Sequence, residues 1–124
     1  MIKRRITVQS AKAKGRNLQK LVCKKISELL NIPWGYDDDM LIQPRIMGQS
    51  GVDVILRREA LEKFPYSIEC KSSQRINLLD TIKQVKNNQK KGTDWLLVLK
   101  KKELKTPIVC LDMNTFFDLI NKST

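Results

Sequence analysis

The sequence predicts an α/β domain in three layers, α-β-α, with a mixed central sheet. Three observations carry that expectation. Gly51-Val52-Asp53-Val54-Ile55-Leu56 and Tyr66-Ser67-Ile68-Glu69-Cys70-Lys71-Ser72 alternate branched apolar with polar residues at period two, the pattern of strands with one buried face. Trp95-Leu96-Leu97-Val98-Leu99 is continuously apolar, as expected of a central strand buried on both faces. Apolar residues spaced by three and four mark helices before and between these runs, and an order that mixes strands with helices in this way packs as layers around one sheet.

Taken from the amino terminus, residues 1–16 read as a basic arm. Ile6 and Val8 suit a short edge strand, but Ser10-Ala11-Lys12-Ala13-Lys14-Gly15-Arg16 has no apolar period, so mobility is expected there without a bound partner. The domain proper is residues 17–124. Asn17 suits an N-cap for a helix to about Leu30, with Leu18, Leu21, Val22, Ile26, Leu29 and Leu30 as its apolar stripe and Asn31 and Pro33 ending it. Met40-Leu41-Ile42 suggests a strand before Pro44. Asp37-Asp38-Asp39 invites a calcium reading, yet no glycine or glutamate follows at EF-hand spacing, which leaves a solvated acidic turn as the stronger alternative. Glycine at 51 permits close approach of a phosphate to the backbone. Residues 57–65 connect the two alternating strands with room for one helical turn, and Pro65 forces an extended conformation at Phe64. Asn77 starts a helix to about Asn88 with Leu78, Leu79, Ile82 and Val85 inward and an opposite flank of Asn77, Thr81, Gln84 and Asn88. Ile108-Val109-Cys110-Leu111 reads as a short buried strand, and Asp112 or Asn114 caps a last helix with Phe116, Phe117 and Ile120 inward.

At 124 residues the chain suits a single domain with one core. No apolar run approaches the ~20 residues of a membrane span, and the charged start lacks a signal peptide's apolar stretch, so a cytoplasmic protein with no membrane partner is expected. The net charge is +11, and nine of the 24 basic residues fall within the first 25 positions, where no acid occurs before Glu28. Such a block suits a polyanion, because each neutralised phosphate releases counterions; Lys12, Lys14, Arg16 and Lys20 are the candidate DNA contacts. A solubilising basic tail and contact with anionic lipid are the alternatives. There is no histidine, which excludes serine-histidine hydrolases, histidine-metal nucleases and mixed Cys/His zinc fingers. Cys23, Cys70 and Cys110 are too far apart for a metal knuckle and odd in number, so reduced thiols are expected.

The chemistry concentrates on the two alternating strands. Tyr66, Ile68 and Cys70 share one side, and Ser67, Glu69 and Lys71 the other. Val52, Val54 and Leu56 take the core face of the first strand and turn Asp53 outward. Pairing of the strands would bring Asp53, Glu69 and Lys71 together: two acids able to hold a divalent cation, with an ammonium beside them. That set suits metal-assisted phosphodiester chemistry, in which the cation stabilises developing charge and lowers the pKa of an attacking water.

A glycine-x-aspartate strand followed by a strand ending Glu69-Cys70-Lys71 resembles the PD-(D/E)XK nuclease superfamily. The likeness is closer to its small phage-encoded endonucleases and Holliday-junction-resolvase-like proteins, through Phe64-Pro65-Tyr66-Ser67-Ile68-Glu69-Cys70-Lys71 and a following helix that carries a glutamine. It runs from about Lys14 to Leu119. The resemblance implies a restriction-endonuclease-like fold and a magnesium-dependent DNA endonuclease, manganese substituting, that leaves a 5′-phosphate and works in phage DNA recombination, repair or processing. It implies metal ligation by Asp53, Glu69 and the carbonyl of Cys70, with Lys71 orienting the water. Many members carry a glutamate on the first helix. Here Glu28 projects roughly 110° from the centre of the apolar stripe and Gln19 roughly 70°, at 100° per residue. Gln19, within Gly15-Arg16-Asn17-Leu18-Gln19, is therefore the catalytic candidate, through hydrogen bonding and not charge; a plain surface glutamine is the alternative. Ser73 lies on the polar rim after Lys71, and Gln84 is placed near the scissile phosphate, although amide-rich flanks are often only solvated. Gln74 stands where the closest relatives tend to carry an acid. A junction resolvase needs two sites acting together and so implies a homodimer. The competing reading is a non-catalytic nucleic-acid-binding protein on a degenerate nuclease fold.

Overall fold

The computed structural model describes residues 8–46 and 49–123. Nine elements follow in order: helix α1 (Val8–Leu30), strands β1 (Ile42–Pro44) and β2 (Val54–Leu56), helix α2 (Arg58–Lys63), strand β3 (Tyr66–Ser72), helix α3 (Leu78–Asn88), strands β4 (Asp94–Lys100) and β5 (Ile108–Cys110), and helix α4 (Met113–Lys122). The five strands form one mixed sheet in the order β1-β2-β3-β4-β5, antiparallel except for the β3–β4 pair. This is the α/β architecture with a mixed sheet that the sequence predicts. Among the described residues no helix is long and apolar enough to cross a membrane.

The first helix begins nine residues before Asn17, so the described part of the expected arm is helical; residues 1–7, Ile6 among them, lie outside the described residues. Ala11, Ala13, the lysines and Arg16 are strong helix formers, and their propensity extends the helix where an apolar period is missing. Its carboxyl end closes on Asn31 at φ 56°, with the Ile32 N–H donating to the Ser27 carbonyl at 3.2 Å. That left-handed cap buries Ile32.

Leu18, Val22, Cys23 and Ile26 of α1 pack with Ile42, Val54, Leu56, Ile68, Cys70, Leu96 and Val98 into the main core on one face of the sheet. Leu21 and Leu29, expected in the stripe, are exposed. The opposite face of β3 carries Ser67, Glu69 and Lys71 and meets α3. There a polar network replaces apolar packing: Ser67 Oγ and Thr93 Oγ1 are 2.6 Å apart, Ser67 Oγ accepts from the Lys90 N–H at 2.9 Å, and Thr93 Oγ1 lies 2.6 Å from the Lys90 carbonyl. The hydroxyls of Ser67 and Thr93 are thus both paired, as burial away from water requires.

Helix α3 is capped as expected, Asn77 Oδ1 accepting from the Asp80 N–H at 3.1 Å, but its phase differs. Thr81 and Val85 are buried, whereas Leu78 and Leu79 are exposed, Leu79 by 71%. Of the flank opposite the expected apolar face, Thr81 is the residue turned into the interior, and Gln84 reaches Glu69 from the same flank. Two further expectations fail at the carboxyl end. Strand β5 forms on an exposed edge, with Ile108 and Val109 open to solvent. Helix α4 takes Asp112 as its N-cap, yet none of its residues is buried and Phe117 is 61% exposed. Helix α4 follows the short edge strand β5, and Phe116, Phe117 and Ile120 stay 45%, 61% and 48% exposed.

The Ser67 network predicts the cost of breaking it. Ser67→Ala removes the acceptor for the Lys90 N–H and the partner of Thr93, and is expected to destabilise the fold by about 1–3 kcal/mol. Urea denaturation should show a lowered midpoint with an unchanged slope.

Candidate functional site

Strand β3 is central, so its backbone groups have no access to water and must find partners. On its β2 side the ladder is brief. Val54 pairs with Ile68, and the Asp53 N–H donates to the Ile68 carbonyl at 2.9 Å. Beyond that point the Cys70 N–H donates to the side chain of Asp53, at 2.8 Å from Oδ2. Asp53 is thereby drawn into the interior at 2% exposure, not turned outward as alternation alone suggested. Gly51 at φ +106° makes the bend that delivers it, a conformation an L side chain rarely adopts.

Arg45, which follows the last residue of β1, fastens the same bend. Its N–H donates to the Asp53 carbonyl at 2.9 Å, its Nη1 to the Gly51 carbonyl at 3.2 Å, and its Nη2 lies 2.8 Å from Asp53 Oδ1. No motif marks Arg45 in the sequence; the only signal is a basic residue just after the proline that closes the strand beside Asp53.

Glu69 comes to the same place from β3. It is 3% exposed, and its Oε1 accepts from Gln84 Nε2 at 2.8 Å. Gln84 thus reaches the site, bound to the acid. Asp53 Oδ1 and Glu69 Oε2 are both buried without a hydrogen-bond donor. The 2.8 Å approach of Arg45 to Oδ1 supplies charge without being aimed as a hydrogen bond, which reconciles the close contact with the unsatisfied oxygen.

Burial pushes the Glu69 carboxyl up to about 8, and the charge of Asp53 and a hydrogen bond with it push the same way, against Arg45 and Lys71. Asp53 is also raised by burial, but the Cys70 N–H, Arg45, the Glu69 hydrogen bond and Lys71 all oppose the rise. Both acids are thus pushed towards their protonated forms, Glu69 with fewer groups opposing the rise than Asp53, and they titrate as a pair. Burial likewise raises the Cys23 thiol to about 12 and the Cys70 thiol well above its ordinary value, so both are inert thiols.

Among the described residues no group of three or more His, Cys, Asp and Glu side chains could hold a metal ion. Two carboxylates are nonetheless a fit for magnesium, which keeps several waters and takes one or two carboxylates together with substrate phosphate oxygens. The two unsatisfied oxygens supply the fit: each needs a proton or a cation. Residues that would hold the ion are Asp53, Glu69 and the Cys70 carbonyl between Glu69 and Lys71. Lys71 is half-buried, and its charge acts on both acids.

The remaining candidates lie outside this cluster. Gln19 is half-buried on α1, with no hydrogen bond to Asp53, Glu69 or Lys71, and Glu28 is exposed as the helical count predicts. Lys12, Lys14, Arg16 and Lys20 are exposed on α1. Ser73 Oγ donates to the Arg75 carbonyl at 2.9 Å, holding the turn after β3.

The raised Glu69 has a definite pH signature. Its carboxyl titrates near 4.5 when unfolded and about 8 when folded, so between these values the folded state holds a proton the unfolded chain has released. Its contribution to stability is complete below the lower value and disappears as pH rises through the upper one. In EDTA, Tm should fall by several degrees between about pH 5 and about pH 8.5, and magnesium should raise Tm more at the alkaline end. Glu69→Gln should flatten the slope; a scanning fluorimetry series reads all three effects.

No family model, curated protein or solved structure matches the chain.

Proposed function

We propose that the chain is a divalent-metal-dependent DNA endonuclease with a restriction-endonuclease-like α-β-α fold. The observation that carries the proposal is the pair of buried, unsatisfied oxygens, Asp53 Oδ1 and Glu69 Oε2, next to Lys71. A magnesium or manganese ion bound there supplies Lewis-acid charge at a phosphate oxygen and lowers the pKa of a coordinated water. Asp53 is held rigid by the Cys70 N–H and Arg45, and Glu69 by Gln84, so the ligands need no reorganisation when charge develops. Lys71 holds its ammonium where it can orient a water and stabilise the phosphate. The resemblance of Asp53 and Glu69-Cys70-Lys71 to the PD-(D/E)XK pattern points the same way, and the net charge of +11 favours a polyanionic substrate. A four-way junction as substrate would require two copies acting together.

One observation favours a second reading. The Arg45–Asp53 contact at 2.8 Å and the Gln84–Glu69 bond at 2.8 Å partly satisfy the acids from within, as a structural cluster in a non-catalytic DNA-binding protein would.

Cleavage of linear, nicked, single-stranded and four-way-junction DNA with and without magnesium separates the two. Glu69→Gln keeps the shape and the Asp53 hydrogen bond but removes charge, and Lys71→Ala removes the ammonium. Each should lower single-turnover cleavage by roughly 100-fold or more with DNA binding retained. Cleavage at the parent rate by either folded variant would exclude the nuclease reading.

A further inference from the structure

A cavity of about 750 Å³ opens on the α1 side of the sheet and has no role in the chemistry described so far. It opens where the parallel strands β3 and β4 end, between α1 and the turn from β4 to β5. Ser72 and Lys100, the last residues of the two strands, are register partners and both line it. The carboxyl ends of parallel strands are where open α/β sheets characteristically receive ligands. Ser72 follows Lys71 but points to the opposite face of β3, so the cavity lies on the α1 side of the sheet and none of Asp53, Glu69 or Lys71 lines it.

The lining has two parts. Ala11, Leu21 and Pro107 make an apolar floor, with Leu18 beneath. The rim is cationic: Lys14 from α1, Arg75 after β3, and Lys101, Lys102 and Lys105 from the β4–β5 turn. Among the described residues no carboxylate forms an ion pair with any of these five. Lys100 folds back and donates to the Lys101 carbonyl at 3.1 Å and to the Leu104 carbonyl, which braces the turn carrying the other lysines.

A paired duplex presents phosphates to such a surface but keeps its base faces stacked inside, so it would satisfy the rim and leave the floor bare. An unpaired nucleotide offers both a phosphate and an open base face, the combination single-strand-binding grooves use. The volume lies within the range of pockets that enclose small organic ligands, about 300–1,000 Å³. We propose that this groove binds an unpaired DNA nucleotide, so that the favoured substrate is DNA with a single-stranded tail or branch and not continuous duplex. The proposal deepens the nuclease reading and rests on it for cleavage, but not for binding.

The test measures binding in EDTA, by fluorescence anisotropy, of a duplex with a short unpaired tail, the same duplex with an abasic tail, and a blunt duplex. The natural tail should bind several-fold tighter than the other two, because only its base can cover the aliphatic floor. Leu21→Ser, at a half-open surface position, should erase the difference between natural and abasic tails. Lys102→Ala and Lys105→Ala should each flatten the salt dependence of tail binding by about 0.7. Equal affinity for tailed and blunt duplex, or binding of anionic vesicles but not tailed DNA, would overturn the proposal. The abasic comparison needs no variant to fold. Tail preference without magnesium-dependent cleavage would refute the nuclease and leave the groove standing; cleavage of blunt and tailed DNA with equal affinity would do the reverse.

Discussion

The hydrogen bond from the Cys70 N–H to Asp53 is the constraint on which the site depends. A central strand cannot leave a buried N–H unpaired, and β2 departs from β3 after one paired residue. A carboxylate takes the place of the missing strand carbonyl. That substitution forces an acid into the interior, and its desolvation must then be offset by something else. Arg45, Gln84 and Lys71 are arranged around that need. The same strand presents Ile68 and Cys70 to α1 on its other face, so the apolar core that fixes β3 also fixes Glu69 and Lys71 by alternation.

Two carboxyls brought together in low dielectric cannot both carry charge at little cost. The arrangement weights the two acids differently. Asp53 has a backbone donor and a guanidinium; Glu69 has only a neutral amide and stands against Asp53's charge, and its carboxyl is the one pushed far up. A cation replacing a proton there would interact with both acids at once and would find two oxygens without donors. In the reading proposed here, a cation would compete with that proton, and the pH dependence of the cluster and its response to magnesium would be linked quantities.

Much of this was legible in the sequence where one physical rule acts alone. The alternation of Tyr66–Ser72 gives β3 its two faces, and Asn77 caps α3 as its side chain dictates. Legibility fails where two rules compete. In α3, Leu78, Leu79 and Ile82 suggest one buried face, but Val85 belongs equally to the face of Thr81, and the polar floor of Ser67 and Glu69 favours Thr81 and Gln84 over leucines. In α1, periodicity stops at Leu18 while propensity continues to Val8. Apolar content predicts burial only when something is there to bury it, and Phe116, Phe117 and Ile120 of α4, after the short edge strand β5, stay exposed. Arg45 acts entirely through long-range contacts, which local pattern cannot register.

The charge distribution gives the last link between fold and chemistry. The surface is strongly basic, while the two acids of the site are buried, so the long-range field attracts a polyanion and the acids oppose only the phosphate that arrives next to them. At that range an anionic phosphate and an ionised acid pair repel. Protonation of Glu69 relieves the repulsion but also removes the ligand charge a metal ion would use. A divalent cation held by the two acids would offset the repulsion and supply positive charge at the phosphate. In the reading proposed here, the burial that raises Glu69 therefore makes productive binding of DNA contingent on the metal ion. Lys71, whose charge acts on both acids, would lessen that repulsion without abolishing it.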